Sequence, residues 1–288
     1  MKILIFGGSG FVGRHLAACL RQRGHEVTIP SRRDVDWMRP DAAAARLLLQ
    51  GQEVVVNAVG VMSRHASVLE QIHHYTPALL AMQAQAVGVR RWVQLSALGA
   101  DEAQPVAFVG SKGRGDAAVQ ASGLEVAVAR PSVVYGRGGV SCELFIKLAR
   151  LPVLVLPDGG RFLLQPVHVT EVAAGLAALA EQADAAGQVV AMTGGRVMTL
   201  AAYLDVLRQT LHHKPPLTVW SLPLGLIKPM LPLANVLSNG VLSPASITLL
   251  QQGSCADNRA FADLLGHAPA PAEAFAQMTQ AAAGFQAA

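Results

Sequence analysis

Short, almost uniformly apolar runs alternate with stretches of helical period along most of this chain. The runs Lys2 to Phe6, Glu26 to Ile29, Glu53 to Ala58, Trp92 to Ser96, Glu125 to Ala129 and Gln188 to Met192 are too short for buried helices and predict strands. Between them, Val12 to Arg23, Asp41 to Leu49, Leu69 to Ala86, Lys112 to Ala121 and Val169 to Glu181 predict helices. This alternation predicts an α/β fold, a doubly wound parallel sheet of Rossmann type, with right-handed crossovers that leave ligands at the carboxyl edge. The connection from Ser31 to Gln52 is short for a full strand and helix. The third strand is therefore expected only as a remnant at Asp34 to Trp37, or not at all.

Proline and glycine then thicken around Pro152, Pro157 and Gly159-Gly160, and again from Pro215 to Pro244. We expect a smaller lobe interleaved with the sheet. Residues 1–136 and 166–195 form the nucleotide-binding domain, and 137–165 with 196–288 form a substrate or partner lobe. The alanine-rich tail from Ala268 reads as a helix or a frayed end. With 52% hydrophobic and 15% charged residues, the whole chain is expected to fold.

Net charge is +4, and the basic residues are scattered apart from Arg32-Arg33 and Arg90-Arg91, which argues against a nucleic-acid partner. Cys19, Cys142 and Cys255 show no disulfide or zinc spacing, so a reduced, cytoplasmic protein without a metal is expected. The apolar N-terminal run is too short for a signal-peptide core. From Leu217 to Leu237 the chain is apolar, yet Pro223, Pro229, Pro232 and Lys228 argue against a spanning helix. The leucine-rich segment 217–250 is expected to wall a substrate cleft and pack on the sheet edge. Its exposure would instead make it a contact face for a membrane, a quinone-like ligand or another protein subunit, so membrane association stays open.

The sharpest motif follows the first strand. Gly7, Gly8, Ser9, Gly10, Phe11, Val12 and Gly13 carry glycines spaced G-x-x-G-x-x-G between a buried strand and an amphipathic helix. Gly7 and Gly10 allow a tight turn and a close backbone approach to a pyrophosphate, and Gly13 lets the helix pack on the strand. The helix N-terminus supplies unpaired N–H groups and a positive dipole end. At the end of the second strand, where an acidic side chain would select NAD(H), stand Pro30, Ser31, Arg32 and Arg33. Guanidinium groups without a competing carboxylate suit a ribose 2′-phosphate, which favours NADP(H) and leaves NAD(H) open. Two solvated arginines at a turn are the plainer alternative.

With these residues in place the chain resembles the extended, atypical branch of the short-chain dehydrogenase/reductase superfamily, which includes proteins of the NAD-dependent epimerase/dehydratase type. The segments Asn57-Ala58-Val59-Gly60, Leu95 to Ala100, Ser111-Lys112, Arg130 to Gly136 and Gln165 to Val169 are most similar to bacterial relatives of the nucleotide-binding accessory subunit of respiratory complex I. The resemblance implies that Asn57, Ala58, Val59 and Gly60 line the adenosine-ribose side of a coenzyme and that Pro131, Ser132 and Val133 line its nicotinamide side. Catalytic members carry a serine at a strand end and a tyrosine four residues before a lysine. That spacing puts both on one helix face, where the ammonium lowers the phenol's pKa. Ser96 and Lys112 match, but the tyrosine position is Phe108, which has no proton to give.

Tyr135 and Tyr75 could replace it by position, or could simply be packed aromatics. Neighbouring His73-His74 and His212-His213 diverge by about 100° on a helix and read as solvated side chains, and His168 as a structural hydrogen-bonding group. Hydrolase and kinase motifs are absent. Two readings follow: an NADP(H)-dependent oxidoreductase or isomerase acting on a small apolar or carbonyl-bearing molecule, and an NADP(H)-binding structural, assembly or redox-sensing protein without turnover.

Overall fold

The structure, a computed structural model, describes residues 1–227 and 244–286. It divides into two compact units: unit 1 comprises Met1–Pro131, Thr170–Met192 and Asp263–Gly266, and unit 2 comprises Ser132–Val169, Thr193–Ala262 and His267–Ala288.

Unit 1 begins with β1 (Lys2–Phe6), α1 (Phe11–Gln22), β2 (Glu26–Thr28), α2 (Ala42–Leu49) and β3 (Val54–Asn57). Next come α3 (Ala66–Glu70), a π-helical turn (Gln71–Tyr75), α4 (Thr76–Ala86), β4 (Arg91–Leu95), α5 (Ala107–Gln120) and β5 (Glu125–Pro131). The chain passes through unit 2 as β6 (Val134–Tyr135), α6 (Val140–Leu148), β7 (Val153–Pro157), β8 (Leu163–Leu164) and β9 (Val167–His168). It returns with α7 (Val169–Glu181) and β10 (Val189–Met192). Unit 2 then adds β11 (Met198–Thr199), α8 (Leu200–His212), β12 (Thr218–Leu222), α9 (Leu224–Ile227) and α10 (Pro244–Gln252); α11 (Arg259–Leu265) starts in unit 2 and ends in unit 1, and α12 (Phe275–Gln286) follows in unit 2.

Unit 1 holds a six-stranded parallel sheet in the order β10-β5-β4-β3-β1-β2. Every residue of β3 and β4 is buried, as strands covered on both faces require. Leu4, Phe6, Val55, Trp92, Val126 and Val128 pack from these strands against Leu49 of α2 and Leu80, Ala81 and Ala84 of α4. No strand forms between Ser31 and Gln52. Val35 is buried there instead, Trp37 meets Phe6 edge-on, and the Trp37 carbonyl accepts the Thr76 hydroxyl at 2.7 Å. The fourth predicted helix, α5, begins at Ala107, five residues before the expected Lys112, so Phe108 lies in its first turn. Glycines at 110, 113 and 115 dilute the helical pattern of this segment, which hides its first turn in the sequence.

A buried cation ties the sheet to its last helix. Arg91 in β4 is fully buried; it donates to Glu125 Oε2 at 2.8 Å and to the carbonyls of Leu179, Ala180, Gln182 and Ala183, where α7 ends. Helix C-termini leave carbonyls unpaired, and a cation there also faces the negative end of the helix dipole. Unit 2 uses the same device, since Arg208 of α8 donates to the carbonyls of Ala149, Arg150 and Leu151 behind α6, and to that of Pro215.

Unit 2 surrounds a second apolar cluster that includes Cys142, Leu154, Leu156, Phe162, Leu164, Tyr203, Leu204 and Phe275. Part of the segment 217–250 was expected on the main sheet's edge; its described strand β12 pairs with β7 in a separate two-stranded parallel ribbon. Residues 228–243 of that segment lie outside the described residues. No helix among the described residues is long and apolar enough to cross a membrane.

Removing the Arg91 guanidinium strands several carbonyls and leaves a cavity. Arg91→Ala is expected to lower the unfolding free energy by about 3 kcal/mol in urea titrations. A loss under about 1 kcal/mol would show that water replaces the cap.

Candidate functional site

The glycine turn is built by the absence of side chains. Gly7 has φ +74°, a left-handed conformation, and a Cβ on it would stand 2.9 Å from the backbone of Ala58 and Val59. A Cβ on Gly13 would stand 2.1 Å from the Gly7 carbonyl oxygen, so α1 reaches this close to β1 only with glycine there. Gly10 caps α1 without any side-chain hydrogen bond, and no acidic residue lies in the first turn. The first N–H groups of α1 are left for an anion.

The segment beside this turn is held from both ends. Asn57, buried, accepts the Val59 N–H at 3.1 Å and donates to Gln94 Oε1 at 3.1 Å. At the other end the Val61 N–H donates to His73 Nε2 at 3.1 Å. His73 is buried in the π-helical turn, with Nδ1 3.0 Å from the Ser111 hydroxyl and its ring edge-on to Phe108. The expectation of solvated histidines therefore fails for His73, because the widened turn directs this position inward. Burial, and secondarily the Lys112 charge, push it down to about 2, so the ring is neutral and Nε2 stays an acceptor.

Lys112 is buried and donates to the Leu95 carbonyl at the end of β4, 3.0 Å away. Its ammonium lies 5.9 Å from the centre of the Phe108 ring, and a side chain on Gly60 would meet it at 3.6 Å. Burial lowers Lys112 to about 8 against the opposing pull of Asp116. Ser96, the next residue after β4, donates its hydroxyl to Asp116 Oδ2 at 2.7 Å, and the same oxygen accepts Arg130 at 3.0 Å. Burial raises the Asp116 carboxyl while Ser96, Arg130 and Lys112 oppose the rise. Asp116 was missed in the sequence; its place four residues after Lys112, on the same face of α5, was the available signal.

At the end of β2 the turn differs from expectation. Asp34 Oδ2 accepts the Ser31 N–H at 2.6 Å and the Ser31 hydroxyl accepts the Arg33 N–H at 3.2 Å, so a carboxylate does stand beside the arginine pair. It folds back on its own turn, as short acidic side chains do, and Ser31, Arg32 and Arg33 are exposed. Ile29 contacts Gly8 closely enough that a Cβ there would meet it at 2.8 Å.

Unit 1 thus brings together the ends of β2, β1, β3 and β4 in one row: Ile29 to Ser31, Gly7 to Gly13, Asn57 to Gly60, then Lys112 and Ser96. Pro131 ends β5, where its carbonyl accepts the Leu98 N–H at 2.9 Å. Ser132 and Val133 belong to unit 2, where the Ser132 hydroxyl donates to the Gln165 carbonyl and Val133 accepts the Val167 N–H. Tyr135, also in unit 2, is a buried ring stacked on Phe275 and near His168, and burial raises its phenol. His168 Nε2 lies 3.2 Å from the Thr279 hydroxyl, and Tyr75 is exposed and stacked on His74. Among the described residues no three histidine, cysteine or acidic side chains converge on a metal position.

A parallel doubly wound sheet carrying this row defines a Rossmann-type fold, which the chain shares with a solved short-chain dehydrogenase/reductase superfamily protein. The chain belongs to the RmlD substrate binding domain family, which it matches over residues 1–219. It is 26% identical to the "NADH dehydrogenase [ubiquinone] 1 alpha subcomplex subunit 9, mitochondrial" of Arabidopsis thaliana over 73% of this chain and 58% of that protein. It is 31% identical to the ceramide reductase of Caulobacter vibrioides over 61% of this chain and 60% of the reductase. The chain therefore spans less than two thirds of the length of these relatives. The human epimerase family protein SDR39U1, solved with NADPH, shares the fold at a TM-score of 0.71 and 19% identity, covering 97% of this chain and 98% of that one. Other solved proteins of this fold carry NADP or NAD.

Lys112 gives unit 1 a pH signature. Its pKa of about 8 lies below the ordinary 10.5, so between these values the unfolded chain holds the extra proton and stability at this position rises with pH. The cost of burying the ammonium is greatest below pH 8. Lys112→Met is expected to raise the unfolding free energy by about 2 kcal/mol at neutral pH, less toward pH 10.5, in urea titrations across pH. A gain that does not vary with pH would contradict the assignment.

Proposed function

We propose that this chain binds NADP(H) along the row in unit 1 and acts as a reductase on an apolar, carbonyl-bearing molecule. The observation that carries the reading is the cradle at Gly7 and Gly13, where any side chain would collide with the chain's own backbone and so part the turn from the uncapped α1 terminus. Two linked phosphates suit that donor set in charge and size. Asn57 to Gly60 line the next stretch, and Lys112 stands where its ammonium can hold the hydroxyls of a ribose. Arg32 and Arg33 offer a 2′-phosphate two guanidinium groups, although Asp34 occupies the Ser31 N–H and reduces the donors available there. When bound, the coenzyme supplies the hydride.

The chain itself must manage the proton that goes to the carbonyl oxygen. Phe108 carries none, Ser96 donates to Asp116, and His73 is neutral with Nε2 accepting the Val61 N–H. Lys112, protonated at neutral pH and titrating near 8, is the proton-bearing group that remains in the row. The likeness to the Caulobacter ceramide reductase supports an apolar carbonyl-type substrate. A cytoplasmic location accords with this chemistry.

A second reading has its own observation. Phe108 fills the tyrosine position and packs against His73, an arrangement suited to holding a coenzyme without using it. The likeness to the complex I subunit supports such a role within an assembly.

Calorimetric titration is expected to show NADPH binding about tenfold or more tighter than NADH, with the preference lost in Arg32→Glu/Arg33→Glu. Tighter binding of NADH would overturn the NADP(H) reading. NADPH oxidation across a panel of aldehydes and ketones then separates the two roles. Turnover in the natural chain, lost about a hundredfold in Lys112→Met, supports the reductase; silence in the natural chain with turnover in Phe108→Tyr supports the second reading.

A further inference from the structure

The β7–β12 ribbon of unit 2 has one face that the described residues of its own unit leave exposed. Its register sets Val153 opposite Thr218, Val155 opposite Trp220 and Pro157 opposite Leu222. Paired residues on neighbouring strands point to the same side of a sheet. Leu154 and Leu156 enter the apolar cluster of unit 2, with Val219 packed against it. The opposite face therefore presents Val153, Val155 and Trp220, which are 42%, 55% and 64% exposed, with Leu151 just before the strand at 47%. Adjacent exposed apolar side chains around an indole mark a contact face.

We propose that this face docks on the surface of a bilayer containing anionic lipid. Charge selects this occupant. Lys147, Arg150 and Lys214 are exposed at the Leu151 end of the ribbon, and Lys214 Nζ donates to the Arg150 carbonyl at 3.1 Å, which gathers the cations there. Neither 144–157 nor 206–222 contains an aspartate or glutamate. Of the flanking acids, Asp205 accepts the Leu217 N–H at 2.7 Å, Glu143 accepts the Gly138 N–H at 3.1 Å, and Asp158 is exposed at the far end of β7. An indole seats at headgroup depth, β-branched side chains enter the acyl boundary, and lysine and arginine at the rim meet anionic headgroups. The face is also ready made. Arg208 holds the carbonyls of Ala149, Arg150 and Leu151 in place, so little ordering is needed on docking. This surface lies apart from the coenzyme row in sequence, and its use does not depend on turnover.

Trp92 is buried and Trp37 partly buried, so Trp220 is the tryptophan whose emission a membrane would change. The full chain is mixed with vesicles of phosphatidylcholine alone and of phosphatidylcholine with phosphatidylglycerol. Expected are co-sedimentation with the anionic vesicles, a blue shift of emission, about tenfold weaker partitioning onto phosphatidylcholine, and weakening by salt. Val155→Glu is expected to reduce partitioning about tenfold, and Arg150→Glu/Lys214→Glu to abolish the preference for anionic lipid, with melting temperature and NADPH binding unchanged in both. No partitioning onto either vesicle overturns the proposal, as does partitioning that Val155→Glu leaves intact. Self-association in lipid-free solution that Val155→Glu abolishes also overturns it, by assigning the face to a second copy of the chain.

Discussion

Unit 1 depends on how closely its backbone approaches itself where β1 ends. At Gly13 a single carbon would collide with the Gly7 carbonyl, and at Gly7 it would meet the backbone of Ala58 and Val59. Three chain segments therefore share one small volume, and only glycine permits it. Because α1 begins there without a side-chain cap, the close packing also leaves N–H groups in need of an anion. Fold and binding chemistry arise from the same steric fact.

The rest of the row is held by polar groups that the sheet buries. His73 fixes Val61, Asn57 fixes Val59, and Asp116 joins Ser96 to Arg130 across the end of β4 and β5. Lys112 sits within this set with its charge only partly compensated, which is why burial depresses its pKa while Asp116 resists. A buried polar network is costly unless satisfied, and here its members are largely bonded to one another and to backbone. Lys112 itself donates to the Leu95 carbonyl, beside side chains bonded to one another and to backbone.

The strands, the helix following the glycine turn and Val169–Glu181 were legible because their patterns report burial directly. Uniformly apolar β3 and the spacing of Leu16, Ala17 and Leu20 in α1 need no knowledge of partners. The start of α5 was not legible, since glycines at 110, 113 and 115 weaken the periodicity on which such a reading rests. The glycine turn and Lys112 were readable as candidates because their meaning is local. His73, Asp116 and Asp34 were not, because each acts through a partner that only the folded chain brings near: Val61, Ser96 with Arg130, and the Ser31 N–H. The β7–β12 pairing was hidden for the same reason, as the two runs are distant in sequence and carry prolines at their ends.

The steric cradle and the uncapped helix start make one claim about where a coenzyme lies, and site-resolved amide hydrogen exchange with and without NADPH tests it most directly. Binding on the turn slows exchange at Gly8 to Gly13 and across Ala58 to Val61. If NADPH raises the melting temperature while exchange in both segments is unchanged, the coenzyme sits elsewhere and the account is wrong.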